Sequence, residues 1–210
     1  MELNKLSQKL QNSLESNLPG KNEQYRMLVK AKQPYIFDKT EEDAIQSAVL
    51  LLIYEENGNI CFMLTERTQT VEHHRGQISL PGGAQEPDEN ISDTALRETE
   101  EELGILVDNI KILGALTPLF VSITGFMIYP FIGVTTVTLN VITEPSEVAA
   151  VFSVKINDLI NDTNMKTESR ILRGYDVDIP YFSLSGHKVW GATAMILSEF
   201  KAILKEAMNA

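Results

Sequence analysis

A single stretch near the middle of the chain, Gly83 to Ile105, constrains its fold most strongly. It reads GAQEPDENISDTALRETEEELGI, and its apolar residues recur at the spacing of a helix. Glu98, Glu101 and Glu102 are spaced i, i+3 and i+4, so they share one face and span an arc of about 100°. The adjacent arc is predicted to be the buried stripe, which consists of Ile91, Ala95, Leu96, Thr99 and Leu103.

A row of carboxylates at the edge of a buried stripe indicates a cation site. Like charges held this closely repel each other unless a cation shares them. Ligand sets made only of oxygens and rich in carboxylates favour Mg²⁺ or Mn²⁺. A solvated acidic helix face is the alternative, and the residues around the row decide between the two.

Those residues keep a fixed spacing. The spacing reproduces the Nudix box, G-x5-E-x7-R-E-U-x-E-E-x-G-U, where U is a bulky aliphatic residue. In this chain the fixed positions are Gly83, Glu89, Arg97-Glu98, Glu101-Glu102 and Gly104-Ile105. The chain therefore resembles a Nudix hydrolase. One position departs, because Thr99 occupies the U position after Arg97-Glu98; its methyl group still allows packing on the core.

A second motif lies upstream of the box. Leu64-Thr65-Glu66-Arg67-Thr68, followed by Gly76 to Gly83, resembles the extra motif of the coenzyme A pyrophosphatase subgroup, L-L-T-x-R-[SA]-x3-R-x3-G-x3-F-P-G-G. Other short stretches of the chain also resemble this subgroup: Leu116-Thr117-Pro118, Gly125, Pro130-Phe131, Glu147-Val148 and Trp190-Gly191-Ala192-Thr193-Ala194. Two positions depart: the inner Arg of the motif is Glu72, which reverses a charge suited to phosphate, and its Phe is Leu80.

The resemblance implies the residues of the site. Glu98, Glu101 and Glu102 would bind one to three Mg²⁺ or Mn²⁺ ions, with the carbonyl of Gly82 as a further ligand, and the sequence leaves open which carboxylate accepts a proton. Arg97 is predicted to orient the carboxylates, together with Glu89. Substrate contacts are expected at Arg67, Gly76, Gln77, Gly82 and Gly83.

The expected reaction is metal-dependent hydrolysis of coenzyme A or its thioesters, giving 3′,5′-ADP and 4′-phosphopantetheine or its acyl form. Two alternatives stay open. One is a Nudix pyrophosphatase for ADP-ribose, NADH or a nucleoside triphosphate, which Glu72 favours. The other is a Nudix-like nucleotide-binding module without catalysis, which the loss of box carboxylates would favour; none is lost.

Composition limits the partners. The net charge of −11 argues against a nucleic-acid partner, whereas metal ions allow an acidic chain to bind a small nucleotide. No apolar run is long enough for a membrane span, and no secretory signal is visible at Met1 to Lys5. The single cysteine, Cys61, is predicted to be a buried thiol. We therefore expect a cytoplasmic monomer or homodimer.

The order of predicted elements favours an α/β fold, and the resemblance implies the Nudix α/β/α sandwich with a mixed central sheet. Residues 1–40 are predicted to be an N-terminal helical extension, and residues 41–210 the Nudix domain. The Asn57-Gly58 turn predicts a hairpin of strands over Ile45–Tyr54 and Ile60–Thr65. Trp190 is predicted to anchor the core at the start of a last helix over Ala192–Met208, and His73 and His74 to be surface or loop residues.

Overall fold

The computed structural model describes residues 2–33, 39–68 and 76–209. Five α-helices lie in these ranges: α1 (Leu3–Leu14), α2 (Lys21–Gln24), α3 (Ile91–Leu103), α4 (Ile156–Ile160) and α5 (Gly191–Asn209). The first six strands are β1 (Lys30–Ala31), β2 (Ile45–Glu56), β3 (Asn59–Arg67), β4 (Ile78–Ser79), β5 (Gly82–Ala84) and β6 (Lys111–Ala115). The other six are β7 (Leu119–Val121), β8 (Phe126–Val134), β9 (Val148–Lys155), β10 (Met165–Leu172), β11 (Tyr175–Leu184) and β12 (His187–Trp190).

The larger of two sheets contains eight strands in the order β4-β3-β2-β8-β6, with β5 paired to β2, β7 to β8 and β9 to β3. Strands β2 and β8 run parallel and the other pairs run antiparallel, so the sheet is mixed. The predicted hairpin forms β2 and β3, and Asn57 and Gly58 adopt the positive φ angles of a tight turn, 50° and 72°.

Alternate residues of β2 point to opposite faces of this sheet, as the two-residue period of a strand requires. Ala48, Leu50 and Leu52 pack in one cluster with Ala95 and Leu103 of α3. Leu51 and Ile53 pack in a second cluster with residues of α1 and α5. Helices therefore cover both faces, and the predicted α/β/α sandwich with a mixed sheet is confirmed. Cys61 is buried, which raises the pKa of its thiol.

In the region of a second, smaller sheet, the sequence predicts only short strands, over Arg170–Tyr175 and Ile179–Phe182. Strands β10 and β11 are longer than that and pair along their length, with β1 and β12 both paired to β11. Phe182, Leu184 and Val189 of this sheet belong to the core cluster that contains α5. The small sheet therefore packs beside α5.

A buried carboxylate connects the N-terminal residues to the rest of the chain. Glu199 of α5 is fully buried and accepts hydrogen bonds from Gly20 N (3.0 Å), Gln24 Nε2 (2.9 Å), Thr117 N (3.2 Å) and Thr117 Oγ1 (2.7 Å). A buried charge is costly unless it is hydrogen-bonded in this way. Leu3, Leu6 and Leu10 of α1 also lie in the core.

Candidate active site

Helix α3 presents the acidic row. It begins after Asn90, whose carbonyl accepts from Thr94 N (3.1 Å), and ends at Gly104, whose φ of 65° is the left-handed conformation that glycine favours. Thr99 is fully buried and its hydroxyl donates to Ala95 O (2.7 Å). The residue that departs from the box pattern therefore still seats the helix on the sheet.

Arg97 lies at the centre of the box residues. Its Nε donates to Glu89 Oε1 (2.9 Å) and its Nη2 to Glu89 Oε2 (3.2 Å), a bidentate pair. Its Nη1 donates to Glu98 Oε1 (2.8 Å) and to Glu101 Oε2 (2.9 Å). The guanidinium of Arg97 lowers the pKa of Glu89 to about 2, and the hydrogen bonds to Glu89, Glu98 and Glu101 raise the pKa of Arg97. The guanidinium of Arg97 thus holds three carboxylates in place.

Glu102 is the most deeply placed carboxylate of the row. Its side chain is 3% exposed, and burial raises its pKa to about 8. The charge of Arg67, whose Nη1 lies 3.7 Å from Glu102 Oε1, and a hydrogen bond from Gly82 N oppose this rise. The nearby charge of Glu98 adds to it. A carboxylate in these surroundings carries negative charge that the protein balances only in part.

The other two carboxylates differ in exposure. The Glu98 side chain is largely buried, and burial raises its pKa despite the hydrogen bond from Arg97. The Glu101 side chain is 60% exposed and lies at the solvent edge. A Cβ at position 83 would overlap the carboxylate of Glu98, so Gly83 leaves the room that this side chain occupies. Gly82, at φ 152°, passes so close to β2 that a Cβ would overlap Ala48 O.

A fourth carboxylate, Glu147, approaches the same site and was not predicted as a site residue. Its charge raises the pKa of both Glu98 and Glu102. Its carbonyl accepts from Thr68 N (2.9 Å), just beyond the point where Val148 of β9 pairs with Arg67 of β3. Ile142 N and Glu144 N also donate to Leu103 O (2.9 Å) and Glu102 O (3.0 Å) at the end of α3. The spacing of the box carries no signal for Glu147, because contacts of the β9 segment with β3 and α3 bring it to the site.

The substrate contacts predicted upstream lie beside the row. Arg67 N donates to Gln77 O (3.0 Å), and Gly76 N donates to Arg67 O (3.1 Å), so the backbone of Gly76 and Gln77 is tied to the end of β3. Arg67 extends from there to Glu102. Glu72, His73 and His74 lie outside the described residues.

The donor set fits a divalent cation in its chemistry. Burial raises the pKa values of Glu98 and Glu102, and Glu101 and Glu147 add further carboxylate oxygens close by. A cation would offset the negative charge that burial makes costly. Among the described residues, no three acidic, His or Cys side chains already form a metal-binding group, and Arg97 is instead bonded to Glu98 and Glu101.

Comparison with known proteins decides the family. The family model described as the NUDIX domain matches residues 44–173, which include the box, the upstream motif and Glu147. The chain belongs to the Nudix family. It is a Nudix hydrolase, an enzyme that hydrolyses phosphoric anhydrides in nucleoside diphosphate derivatives, and such hydrolases generally use divalent metals such as Mg²⁺ or Mn²⁺.

Relatives of this Nudix hydrolase occur in bacteria and plants. It is 33% identical to an uncharacterized Nudix hydrolase, NudL, of Photorhabdus laumondii over 138 residues, which are 65% of this chain and 73% of the relative. It is 34% identical to the mitochondrial Nudix hydrolase 15 of Arabidopsis thaliana over 169 residues, 77% of this chain and 59% of the relative. The crystal structure of the Nudix hydrolase RenU from M. smegmatis has the same fold, with a TM-score of 0.57 and 16% identity over 85% of this chain and 94% of RenU.

No helix in the described part of this hydrolase is long and apolar enough to cross a membrane.

The raised pKa of Glu102 predicts how stability depends on pH when metal is removed. The ordinary pKa of 4.5 rises to about 8 on folding, so above pH 4.5 the folded state binds more protons than the unfolded state. The free energy of unfolding should therefore fall as pH rises from 5 to 8, by an amount on the order of 3 kcal/mol. Thermal or urea unfolding in EDTA at several pH values measures this. Glu102→Gln should flatten the dependence, and an unchanged slope in that variant would contradict the assignment.

Proposed function

We propose that the chain hydrolyses the diphosphate of coenzyme A or its thioesters, releasing 3′,5′-ADP and 4′-phosphopantetheine or its acyl form. The observation that carries the proposal is the contact between two motifs. The upstream motif ends β3 at Arg67, and Arg67 reaches Glu102 of the box at 3.7 Å. The motif that resembles the coenzyme A subgroup therefore lies next to the carboxylates of the box.

In this proposal, Glu98, Glu101, Glu102 and Glu147 would hold Mg²⁺ or Mn²⁺. A bound ion would polarise the phosphoryl oxygen and lower the pKa of a bound water. Arg97 keeps Glu98 and Glu101 in place through hydrogen bonds of 2.8 and 2.9 Å. Arg97 thus acts as a positioning residue, because its five donors are already directed at carboxylates and at Ala84 O.

Three parts of the chain serve the substrate in this reading. Gly82 and Gly83 keep the backbone next to the carboxylates free of side chains, which lets a diphosphate approach closely. Arg67, with a side chain that is 27% exposed, offers a guanidinium to the phosphates. Gly76 and Gln77 are held next to Arg67 by backbone hydrogen bonds and would contact the substrate there.

One sequence feature favours a second candidate. Glu72 stands where the subgroup motif has an Arg, and a negative charge there would disfavour a substrate with an extra phosphate. Hydrolysis of ADP-ribose, NADH or a nucleoside triphosphate by the same carboxylates is therefore the alternative.

A substrate panel distinguishes the two candidates. Coenzyme A, acetyl-coenzyme A, dephospho-coenzyme A, ADP-ribose, NADH and a nucleoside triphosphate would be incubated with Mg²⁺ or Mn²⁺, and the products identified by mass. We expect the highest kcat/KM for coenzyme A or its thioester, with a preference of about fivefold over dephospho-coenzyme A, because one solvent-screened phosphate contact contributes about 1 kcal/mol. Much faster turnover of ADP-ribose or a nucleoside triphosphate would overturn the coenzyme A proposal and leave the family assignment intact.

A further inference from the structure

A group of aromatic and charged side chains on the small sheet has no part in the site described above. Trp190 is half-buried and belongs to neither core cluster, so the prediction that it anchors the core is wrong. The guanidinium of Arg170 lies 5.0 Å from the centre of the Trp190 ring, and Lys188 Nζ lies 5.1 Å from the centre of the Tyr181 ring. We call Tyr181, Trp190, Arg170, Lys188 and Glu168 the cation–aromatic surface.

Strand register explains why these side chains lie together. Tyr181 of β11 is directly opposite Trp190 of β12, and directly opposite residues of antiparallel strands share a face. Glu168 and Arg170 are two apart on β10 and so share a face as well. Glu168 pairs with both Arg170, at 3.8 Å, and Lys188. Tyr181 is half-buried like Trp190, so both rings keep accessible surface.

The charge of this surface is opposite to that of the chain as a whole. Arg170 and Lys188 share the single carboxylate of Glu168, and Lys166, directly opposite Tyr181, adds an exposed third cation. The chain carries a net charge of −11, so a local excess of cations beside two aromatic rings is unusual for it. Aromatic rings stack on nucleobases, and cations pair with phosphate groups.

A continuous set of contacts connects this surface to the carboxylates. Arg67, next to Glu102, is bonded to Gln77, and the following residue, Ile78, accepts a hydrogen bond from Thr193 Oγ1 (3.1 Å) through its carbonyl. Thr193 lies in the first turn of α5, and that helix begins directly after Trp190. The space at Gly191, the residue that follows Trp190, is open, because a Cβ there would meet no atom within 4 Å beyond its chain neighbours and its own helix.

We propose that the cation–aromatic surface binds the nucleoside end of the substrate, with the base stacked at Trp190 and Tyr181 and a ribose-bound phosphate paired with Arg170 and Lys188. The inference rests on the proposed function, since coenzyme A carries both an adenine base and a 3′-phosphate away from its diphosphate. It assigns the recognition of that phosphate to Arg170 and Lys188, two residues outside both sequence motifs.

The single tryptophan of the chain makes the test direct, because all tryptophan fluorescence comes from Trp190. The full-length protein would be titrated with 3′,5′-ADP and with 5′-AMP, neither of which has a diphosphate to hydrolyse. We expect both ligands to change the emission and 3′,5′-ADP to bind about fivefold more tightly. Arg170→Gln and Lys188→Gln should each reduce that preference. Arg173→Gln, the same charge change in the turn that joins β10 to β11, should leave it unchanged.

Two outcomes would overturn the inference: unchanged Trp190 emission with both nucleotides, or an equal loss of preference in Arg170→Gln and Arg173→Gln. Hydrolysis of coenzyme A, measured on the same preparations by the mass of the products, tests the proposed function independently of the fluorescence titration. Cleavage of coenzyme A without a fluorescence change refutes the surface alone. A fluorescence change with the expected variant pattern, but with ADP-ribose as the preferred substrate, supports the surface and refutes the coenzyme A proposal.

Discussion

Glu102→Gln is expected to lower kcat by about 10²- to 10³-fold, the scale seen when one group that stabilises developing charge is removed. Glutamine keeps the shape of the side chain and removes a charge that is held at 3% exposure beside Glu98 and Glu147. The fold should persist, since the burial of a charge is what raises the pKa of Glu102 to about 8. Steady-state kinetics with saturating Mg²⁺, together with a thermal unfolding curve, measure both quantities.

Glu98→Gln should show a loss of similar size, because Glu98 is also largely buried and close to Glu102. Glu100→Gln is the matched control on the same helix. At about 100° per residue, Glu100 points roughly 100° from Glu101 and 200° from both Glu98 and Glu102, so its loss should leave kcat within about twofold. Equal, small effects at Glu98, Glu100 and Glu102 would mean that the row is only a solvated face.

The parts of the fold that the sequence predicted correctly depend on local chemistry. The Asn57-Gly58 turn sets the β2–β3 hairpin, and Gly104 ends α3 in the left-handed conformation. The final helix was predicted over Ala192–Met208 and spans Gly191–Asn209. In each case the residues that specify the element lie within it or next to it.

The missed strands carry too little signal of their own to be predicted from the sequence. Strand β9 pairs with β3 although roughly 80 residues separate them, and its buried residues do not strictly alternate with exposed ones. Strands β7 and β12 contain three and four residues, too few for a periodic signal. Pairing with β8 and β11 forms them, and such pairing cannot be read from one strand alone.

The same division holds for the candidate site. The spacing of the box places Glu98, Glu101 and Glu102 on α3, because helical geometry relates residues three and four apart. Glu147 reaches them through the pairing of β3 with β9 and through the hydrogen bonds of Ile142 N and Glu144 N to the end of α3. Trp190 is left half-buried because β12 is a short strand at the edge of the small sheet. Pairing between strands thus supplies the residues that the spacing of the box did not contain.

Chelation is expected to reduce hydrolysis to background, and Mg²⁺ or Mn²⁺ should restore it. Four carboxylates lie close together in the site, those of Glu98, Glu101, Glu102 and Glu147. Arg67 and Arg97 are the cations paired with carboxylates here, and they do not balance the negative charge of the four and of Glu89. A diphosphate brought beside them would meet strong repulsion unless a divalent ion lies between. The added ion should also raise the unfolding temperature, more at pH 8 than at pH 6, because Glu102 is then more often ionised. Turnover that persists in excess EDTA, after dialysis against chelator, would rule out a metal site at these carboxylates.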